Sequence, residues 1–160
     1  MRPLAYSRGA PTPLGASVRG LAAGAAGTAA MTAAQTIYYK ASGVVPSEIP
    51  GRVAKRIIGG VFHRPVDERW TGALNNAMHW SYGTGWGGVY GLIKGSLKAP
   101  ALSAGAVFGA AVWGVSLLQL PAMQLARPIW EMPPSEVARD LSFHVIYGLT
   151  TAGAYAALRG

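Results

Sequence analysis

The chain has 160 residues, of which 51% are apolar and only 12% are charged, and it contains no cysteine. An ordinary soluble domain carries roughly 25% charged residues, so this composition is atypical of a soluble enzyme and of a disordered polar chain. The missing cysteines exclude disulfide scaffolds, thiolate metal sites and a cysteine nucleophile. The net charge of +8 would suit a nucleic acid or an anionic membrane surface, and the positions of the charges decide between these partners.

Four long stretches contain no Asp, Glu, Lys or Arg. A helix needs about 20 mostly apolar residues to cross a bilayer core, and the four stretches are close to that length or longer. A buried, soluble Ala/Gly-rich domain is the alternative, but soluble helices normally carry a charged face. The sequence predicts an all-α polytopic membrane protein, a single domain over residues 1–160. Its four transmembrane helices are expected at about 16–39, 70–94, 100–122 and 135–158.

A short amphipathic helix is predicted in the first loop, at about 47–58. Ile49, Val53 and Ile57 fall on one face at a spacing of four residues, beside three basic residues. This pattern is typical of a helix lying at a lipid headgroup surface, although an ordinary solvated loop helix would give the same pattern.

Two segments share the pattern H-x2-Y-G-x6-Y, the first starting at His79 and the second at His144, 65 residues later. The first and third spans each contain glycines spaced by four residues. A hairpin and its copy in the same orientation would form a 2+2 parallel repeat, with chance similarity among Gly-rich helices as the alternative. The glycines expected at helix contacts are Gly20, Gly24, Gly83, Gly87, Gly91, Gly105, Gly109 and Gly148.

Polar side chains follow one face of the second and fourth spans, and we expect both stripes to face the bundle interior, since polar groups are costly in hydrocarbon. The residues are Asn75, His79 and Tyr82 in one span and Asp140, His144 and Tyr147 in the other. Three interpretations stay open for them. They could be structural hydrogen bonds between helices, or a proton or small-solute pathway in which Asp140 favours the imidazolium form of His144. The third is a metal or haem held between His79 and His144.

Other site types are not supported by the sequence. It contains no phosphate-binding loop and no nucleophile elbow. The Gly-rich run at residues 83–88 lies within an apolar span rather than after a strand, so it is not a dinucleotide fingerprint. Its basic residues are scattered rather than set in one stripe, which argues against nucleic acid binding. We therefore expect no catalytic residues and no resident cofactor. The proline-rich loop before the fourth span could dock a partner through Trp130, Glu131 and Pro133, or it could simply end one helix and begin the next.

The membrane orientation follows only indirectly from the charges. Lysine and arginine are divided almost evenly between the two sides, so the positive-inside rule does not choose. All six acidic residues lie on the side of the first loop, which favours cytoplasmic termini.

Residues 70–158 resemble the YagU-like bacterial inner-membrane proteins. The resemblance rests on the aromatic-rich segment from Asn75 to Gly83, the Gly-spaced third span ending in Gln119 and Pro121, and the Pro/Trp loop that leads to His144. It implies a location in the bacterial inner membrane and a loose link to acid tolerance, with no assigned chemistry. Together with the Gly/Ala faces, it predicts a non-catalytic accessory or packing subunit, associated with itself or with other membrane subunits. A proton or small-solute pathway is the main alternative, and a His-ligated redox protein is the second.

Overall fold

The computed structural model describes residues 12–94 and 99–159, which form helices and loops without a β-strand. The predicted cytoplasmic ends of the chain and part of the turn between the second and third spans lie outside these residues. The helices are α1 (Pro13–Ser42), α2 (Ile49–Phe62), α3 (Thr71–Lys94), α4 (Ala101–Ala122) and α5 (Pro134–Arg159). Short 3₁₀ helices, Glu68–Trp70 and Ile129–Glu131, precede α3 and α5. The four predicted long helices are confirmed to within three residues, and the loop helix extends beyond 47–58 at its C-terminal end.

Local sequence signals explain where α1 begins and ends. The Thr12 hydroxyl accepts a hydrogen bond from the Gly15 N–H at 3.1 Å, which satisfies one of the unpaired donors at the helix start. At the other end Gly43 adopts a left-handed conformation with φ of 69°, and its N–H donates to the Tyr39 carbonyl. The α1 helix therefore ends at the residue type that adopts this conformation without steric cost.

The central helix of the fold is α1, which packs along both α3 and α5, while α4 packs on the other side of α5 and α2 lies on α3. The remaining long pair, α3 and α4, meets chiefly through aromatic rings. The Tyr90 and Phe108 ring centroids are 4.9 Å apart, and those of Trp86 and Phe108 are 6.4 Å apart. The two helices are therefore joined by large side chains rather than by close backbone packing.

Glycines bring α1 and α3 into backbone contact. A Cβ added to Gly24 would lie 2.6 Å from the Gly87 Cα and 2.8 Å from the Gly83 carbonyl oxygen. The Gly20 backbone meets Gly87 and Gly91 in the same way. Such close approach, which any larger residue would prevent, is typical of small-residue helix interfaces.

A second glycine contact joins α4 to α5. A Cβ on Gly105 would lie 2.8 Å from the Gly148 carbonyl oxygen, and one on Gly148 would lie 2.7 Å from the Gly109 Cα. All eight glycines expected at helix contacts lie at close approaches, although Gly83 meets mainly the Thr28 side chain rather than backbone.

The two hairpins pair through equivalent small residues, but they do not pack on each other symmetrically. The 65-residue offset of the sequence repeat maps Gly83 onto Gly148 and Gly87 onto Ala152. In the first hairpin Gly24 meets Gly83 and Gly20 meets Gly87, and in the second Gly109 meets Gly148 and Gly105 meets Ala152. The packing of α1 on α5, in contrast, has no counterpart of similar extent between α4 and α3 in the described residues. The sequence pattern therefore corresponds to a shared mode of pairing rather than to two superimposable halves.

An aromatic core fills the half of the bundle nearer to the start of α1. It surrounds Tyr90, Tyr147 and Tyr155, which are almost completely buried. The Tyr147 hydroxyl donates to the Gly83 carbonyl at 2.6 Å, and the Tyr155 hydroxyl donates to the Gly91 carbonyl at 3.2 Å. These bonds connect α5 to α3 although the two backbones scarcely touch.

Among the described helices, α4 alone is long and apolar enough to cross a membrane, judged by length and composition, and most of its residues are not buried within the protein. The other long helices are rich in Gly, Ser, Thr and Tyr, which add little hydropathy. The fold thus provides one candidate span, and the four-span arrangement stays a prediction.

Candidate functional site

A cavity of about 600 Å³ lies between the four long helices, on the α2 side of the aromatic core. It exists because α3 and α4 separate beyond the ring contacts of Phe108, and α2 covers part of the resulting space. Most of the lining is apolar, with polar side chains from each of the four long helices. Cavities of this size and character are the usual form of small-ligand sites in proteins.

Five of the six residues predicted for the polar stripes line this cavity. They are Asn75, His79, Tyr82, Asp140 and His144. The sixth, Tyr147, lies below the cavity and is held by its hydrogen bond to the Gly83 carbonyl. The structure therefore brings the two stripes to one space, as their helical spacing predicts.

The tautomer of His144 follows from its hydrogen bond. Its Nδ1 lies 2.7 Å from the Asp140 backbone carbonyl oxygen. A carbonyl can only accept, so Nδ1 carries the proton and donates. In the neutral ring Nε2 is then the acceptor, on a side chain that lines the cavity.

The tautomer of His79 is fixed by a threonine of α1. The Thr32 hydroxyl lies 2.8 Å from the Thr28 carbonyl and 3.1 Å from His79 Nε2. It has one proton, which the nearer carbonyl takes, so it accepts from His79 Nε2–H. The neutral His79 ring therefore carries its lone pair on Nδ1. Each histidine therefore donates its one ring N–H to a group of the protein, which leaves its other ring nitrogen as an acceptor.

Sequence reasoning missed the threonine row of α1. Thr28, Thr32 and Thr36 each donate a side-chain hydrogen bond to the carbonyl four residues earlier, at 2.7 to 2.8 Å. Their spacing of four residues is visible in the sequence and places them on one helix face. That signal could have indicated a polar face on α1 directed towards His79.

The role predicted for Asp140 changes in the structure. Its carboxylate pairs with the Arg139 side chain at 3.1 Å, and Arg139 also lies over the Tyr38 ring at 5.6 Å. The contact between Asp140 and His144 is made by the Asp140 backbone carbonyl rather than by the carboxylate. Within residues 12–94 and 99–159, no group of three His, Cys, Asp or Glu side chains is placed to hold a metal ion.

The α2 helix forms one wall of the cavity. Its apolar face, for which the sequence left a lipid headgroup surface and a solvated loop open, lines the cavity through Ile49, Val53 and Ile57, because α2 packs against α3. The buried Gly51 N–H donates to Asn75 Oδ1 at 2.9 Å, which ties α2 to the first turns of α3.

An ion pair beside this contact holds the other side of α2. The Lys55 ammonium donates to the Glu68 carboxylate, which also accepts from the Thr71 hydroxyl at 3.1 Å. The hydrogen bond from Lys55, followed by that from Thr71, lowers the pKa of the exposed Glu68 carboxyl. Glu68 therefore stays ionised, and the pair intact, at neutral pH.

The predicted docking loop is exposed. Trp130 keeps 81% of its surface accessible, and Glu131 and Pro133 are also exposed. Arg127 and Glu136 form an ion pair of 3.2 Å across the base of the loop. The loop thus presents a large aromatic side chain outside the cavity.

No protein-family profile, curated protein or solved structure matches this chain. The resemblance to YagU-like proteins therefore stays a prediction, and function must be argued from the geometry.

Proposed function

We propose that this protein is a small multi-pass membrane protein whose cavity forms part of a proton or small-solute pathway, without catalytic activity of its own. The observation that carries the proposal is the convergence of two histidines on one largely apolar cavity between the four long helices. Polar groups inside a membrane are costly and typically mark ion and substrate pathways.

Four membrane spans are consistent with the exposed surface of the bundle. Large apolar side chains point outward from each long helix, among them Leu14, Ile37, Leu92, Leu118 and Leu158. In water such a surface would be unfavourable, whereas lipid would cover it. We place the protein in the bacterial inner membrane with both termini cytoplasmic, so that the α2 side of the cavity faces the periplasm.

In this arrangement the pathway opens at the membrane face on which α2 lies, and the aromatic core closes it towards the opposite face. Tyr90, Phe108 and Tyr155 pack ring against ring between the cavity and the start of α1. A solute could therefore enter from one side, and passage would require these rings to separate. Alternating access of this kind needs a second conformation, which a ligand would favour by binding it more tightly.

Flux through reconstituted vesicles tests the proposal. Vesicles loaded with a pH-sensitive dye should acidify faster with the protein than without it. His79→Ala and His144→Ala should both slow this flux, because each removes a polar group of the cavity. His63→Asn is the matched control, since His63 is an exposed loop residue and asparagine tolerates its left-handed φ of 53°. Unchanged flux in both cavity variants would contradict the pathway.

The exposed loop around Trp130 supports a second candidate, an accessory subunit that docks to another membrane protein or to itself. Exposed tryptophans are common anchors of protein interfaces. Native mass measurement after mild detergent extraction should then show a complex, and the Trp130→Ala variant should be a monomer in the same measurement. A monomer in both samples would remove this candidate.

A further inference from the structure

We propose that the cavity binds a soft monovalent metal ion, Cu(I) or its analogue Ag(I), through two imidazole nitrogens and two thioether sulfurs. The ligands would be His79, His144, Met31 and Met78, all of which line the cavity. This inference rests on the proposed function and names the solute class for the same site.

Helix register places the four residues at one depth. The hydrogen bond between Thr32 and His79 sets the middle of α1 beside the turn of α3 that contains His79. Met31 and Met78, the residues that precede these two, therefore lie at the same depth. On the other side of α1, Gly27 contacts Tyr147 and Thr151, and Tyr38 contacts Phe143. The antiparallel helices between these contacts bring Met31 and Thr32 level with His144.

The histidine tautomers suit metal binding. Each ring donates its one proton to a group of the protein, His144 to the Asp140 carbonyl and His79 to the Thr32 hydroxyl. Each ring therefore keeps one nitrogen lone pair with which it can bind a metal ion. Metal-bound histidines characteristically donate their other N–H to a neighbouring acceptor in this way, which fixes the ring orientation.

The ligand set selects the kind of ion. Thioether sulfur is a soft donor that favours Cu(I), whereas carboxylates and water favour hard cations. The carboxylate of Asp140, which also lines the cavity, already pairs with Arg139 and is therefore not a free ligand. All four ligands are neutral, and a monovalent ion leaves less uncompensated charge in an apolar cavity than a divalent ion does. Binding forms four dative bonds and releases no proton from the ligands.

Competition for Cu(I) against a coloured chelator, under reducing conditions and in detergent, measures the site directly. The full-length protein should take one equivalent of Cu(I). Met31→Leu combined with Met78→Leu should lower the affinity for Cu(I) at least about tenfold, as removing a residue that supports a metal ligand does. Methionine and leucine have similar volumes, so this variant should fold. Met123→Leu is the control, because the Met123 sulfur contacts Gln119 rather than the cavity.

A spectroscopic readout tests the ligands themselves. X-ray absorption of the copper-loaded protein should show a mixed nitrogen and sulfur shell, and His144→Ala should remove part of the nitrogen signal. No binding of Cu(I) or Ag(I) would overturn the inference. Binding that is weakened neither by the combined Met31→Leu and Met78→Leu substitutions nor by His144→Ala would overturn it as well. The same preparations should be tested for access of a small thiol reagent to Ser116→Cys, a cavity-lining position. Reaction there without metal binding would reject the metal and leave the cavity pathway standing, and failure of both would reject both.

Discussion

The contact between α1 and α3 should be intolerant of a single added methyl group at Gly24. A Cβ there would lie 2.6 Å from the Gly87 Cα and 2.8 Å from the Gly83 carbonyl, both backbone atoms that no rotamer change can move. Ordinary carbon contacts lie at about 3.5–4.0 Å, so the helices must separate by about 1 Å. Overpacking of this kind costs up to about 3 kcal/mol. Alanine is more favourable than glycine within a helix by about 1 kcal/mol, which offsets part of this cost. The Gly24→Ala variant should therefore be less stable than the native protein by about 2 kcal/mol.

Gly85→Ala is the matched control on the facing helix. A Cβ at Gly85 meets no atom within 4 Å, so only the propensity gain of about 1 kcal/mol applies. The two variants should then differ by about 3 kcal/mol, or about 6–12 °C in melting temperature for a chain of this size. Tryptophan fluorescence during heating in detergent measures the difference, with circular dichroism to check helix content. Equal melting temperatures for the two variants would refute the close backbone packing.

Two further predictions concern single side chains. Tyr147→Phe removes the hydrogen bond to the Gly83 carbonyl and should lower the free energy of unfolding by about 1 kcal/mol. Tyr82→Phe should cost much less in the same melting assay, because the buried Tyr82 hydroxyl has no hydrogen-bond partner among the described residues. The stabilisation from Glu68 is present above the ordinary pKa of glutamate and is lost as pH falls through the lowered folded-state pKa, because protonation breaks its pair with Lys55. Hydrogen-exchange protection of α2 should therefore fall only below about pH 4, and Glu68→Gln should remove this pH dependence.

Helix existence and length could be read from the sequence because they depend on local pattern. Uncharged stretches separated by charged, proline-containing loops fixed the four long helices to within three residues. The glycine spacing likewise indicated close helix contacts, since four-residue spacing keeps small residues on one face. The polar stripes converged on one cavity for the same reason.

Packing between the two hairpins could not be read in the same way. The repeat agrees with the pairing inside each hairpin, since Gly109 meets Gly148 as Gly24 meets Gly83. It does not show that α1 packs along α5 whereas α3 and α4 meet chiefly through aromatic rings. The partner of the apolar face of α2 could not be read either, because amphipathicity shows that a face is covered without showing by what. The sequence left a lipid surface and a solvated loop open for α2, and Val53 is buried where α2 packs on α3 beside the cavity.

The sequence also misjudged how His144 and Asp140 interact. One-turn spacing correctly placed the two residues together, but the carboxylate rotates to Arg139 and leaves the backbone carbonyl to hold the imidazole. A rotamer choice between competing partners is a three-dimensional property that spacing does not contain. The threonine row of α1 shows the opposite case, where the spacing was present and only its partner on α3 was unknown.

The most direct test of a solute-accessible cavity uses the absence of native cysteine, which makes any introduced thiol unique. Ser116→Cys places a thiol on the cavity wall, and Val115→Cys places one on the adjacent, outward face of α4. In lipid vesicles a small, charged thiol reagent should modify Ser116→Cys much faster than Val115→Cys, and only when added on the α2 side. Equal rates at the two positions, or faster reaction at Val115→Cys, would contradict a water-filled cavity within a membrane bundle.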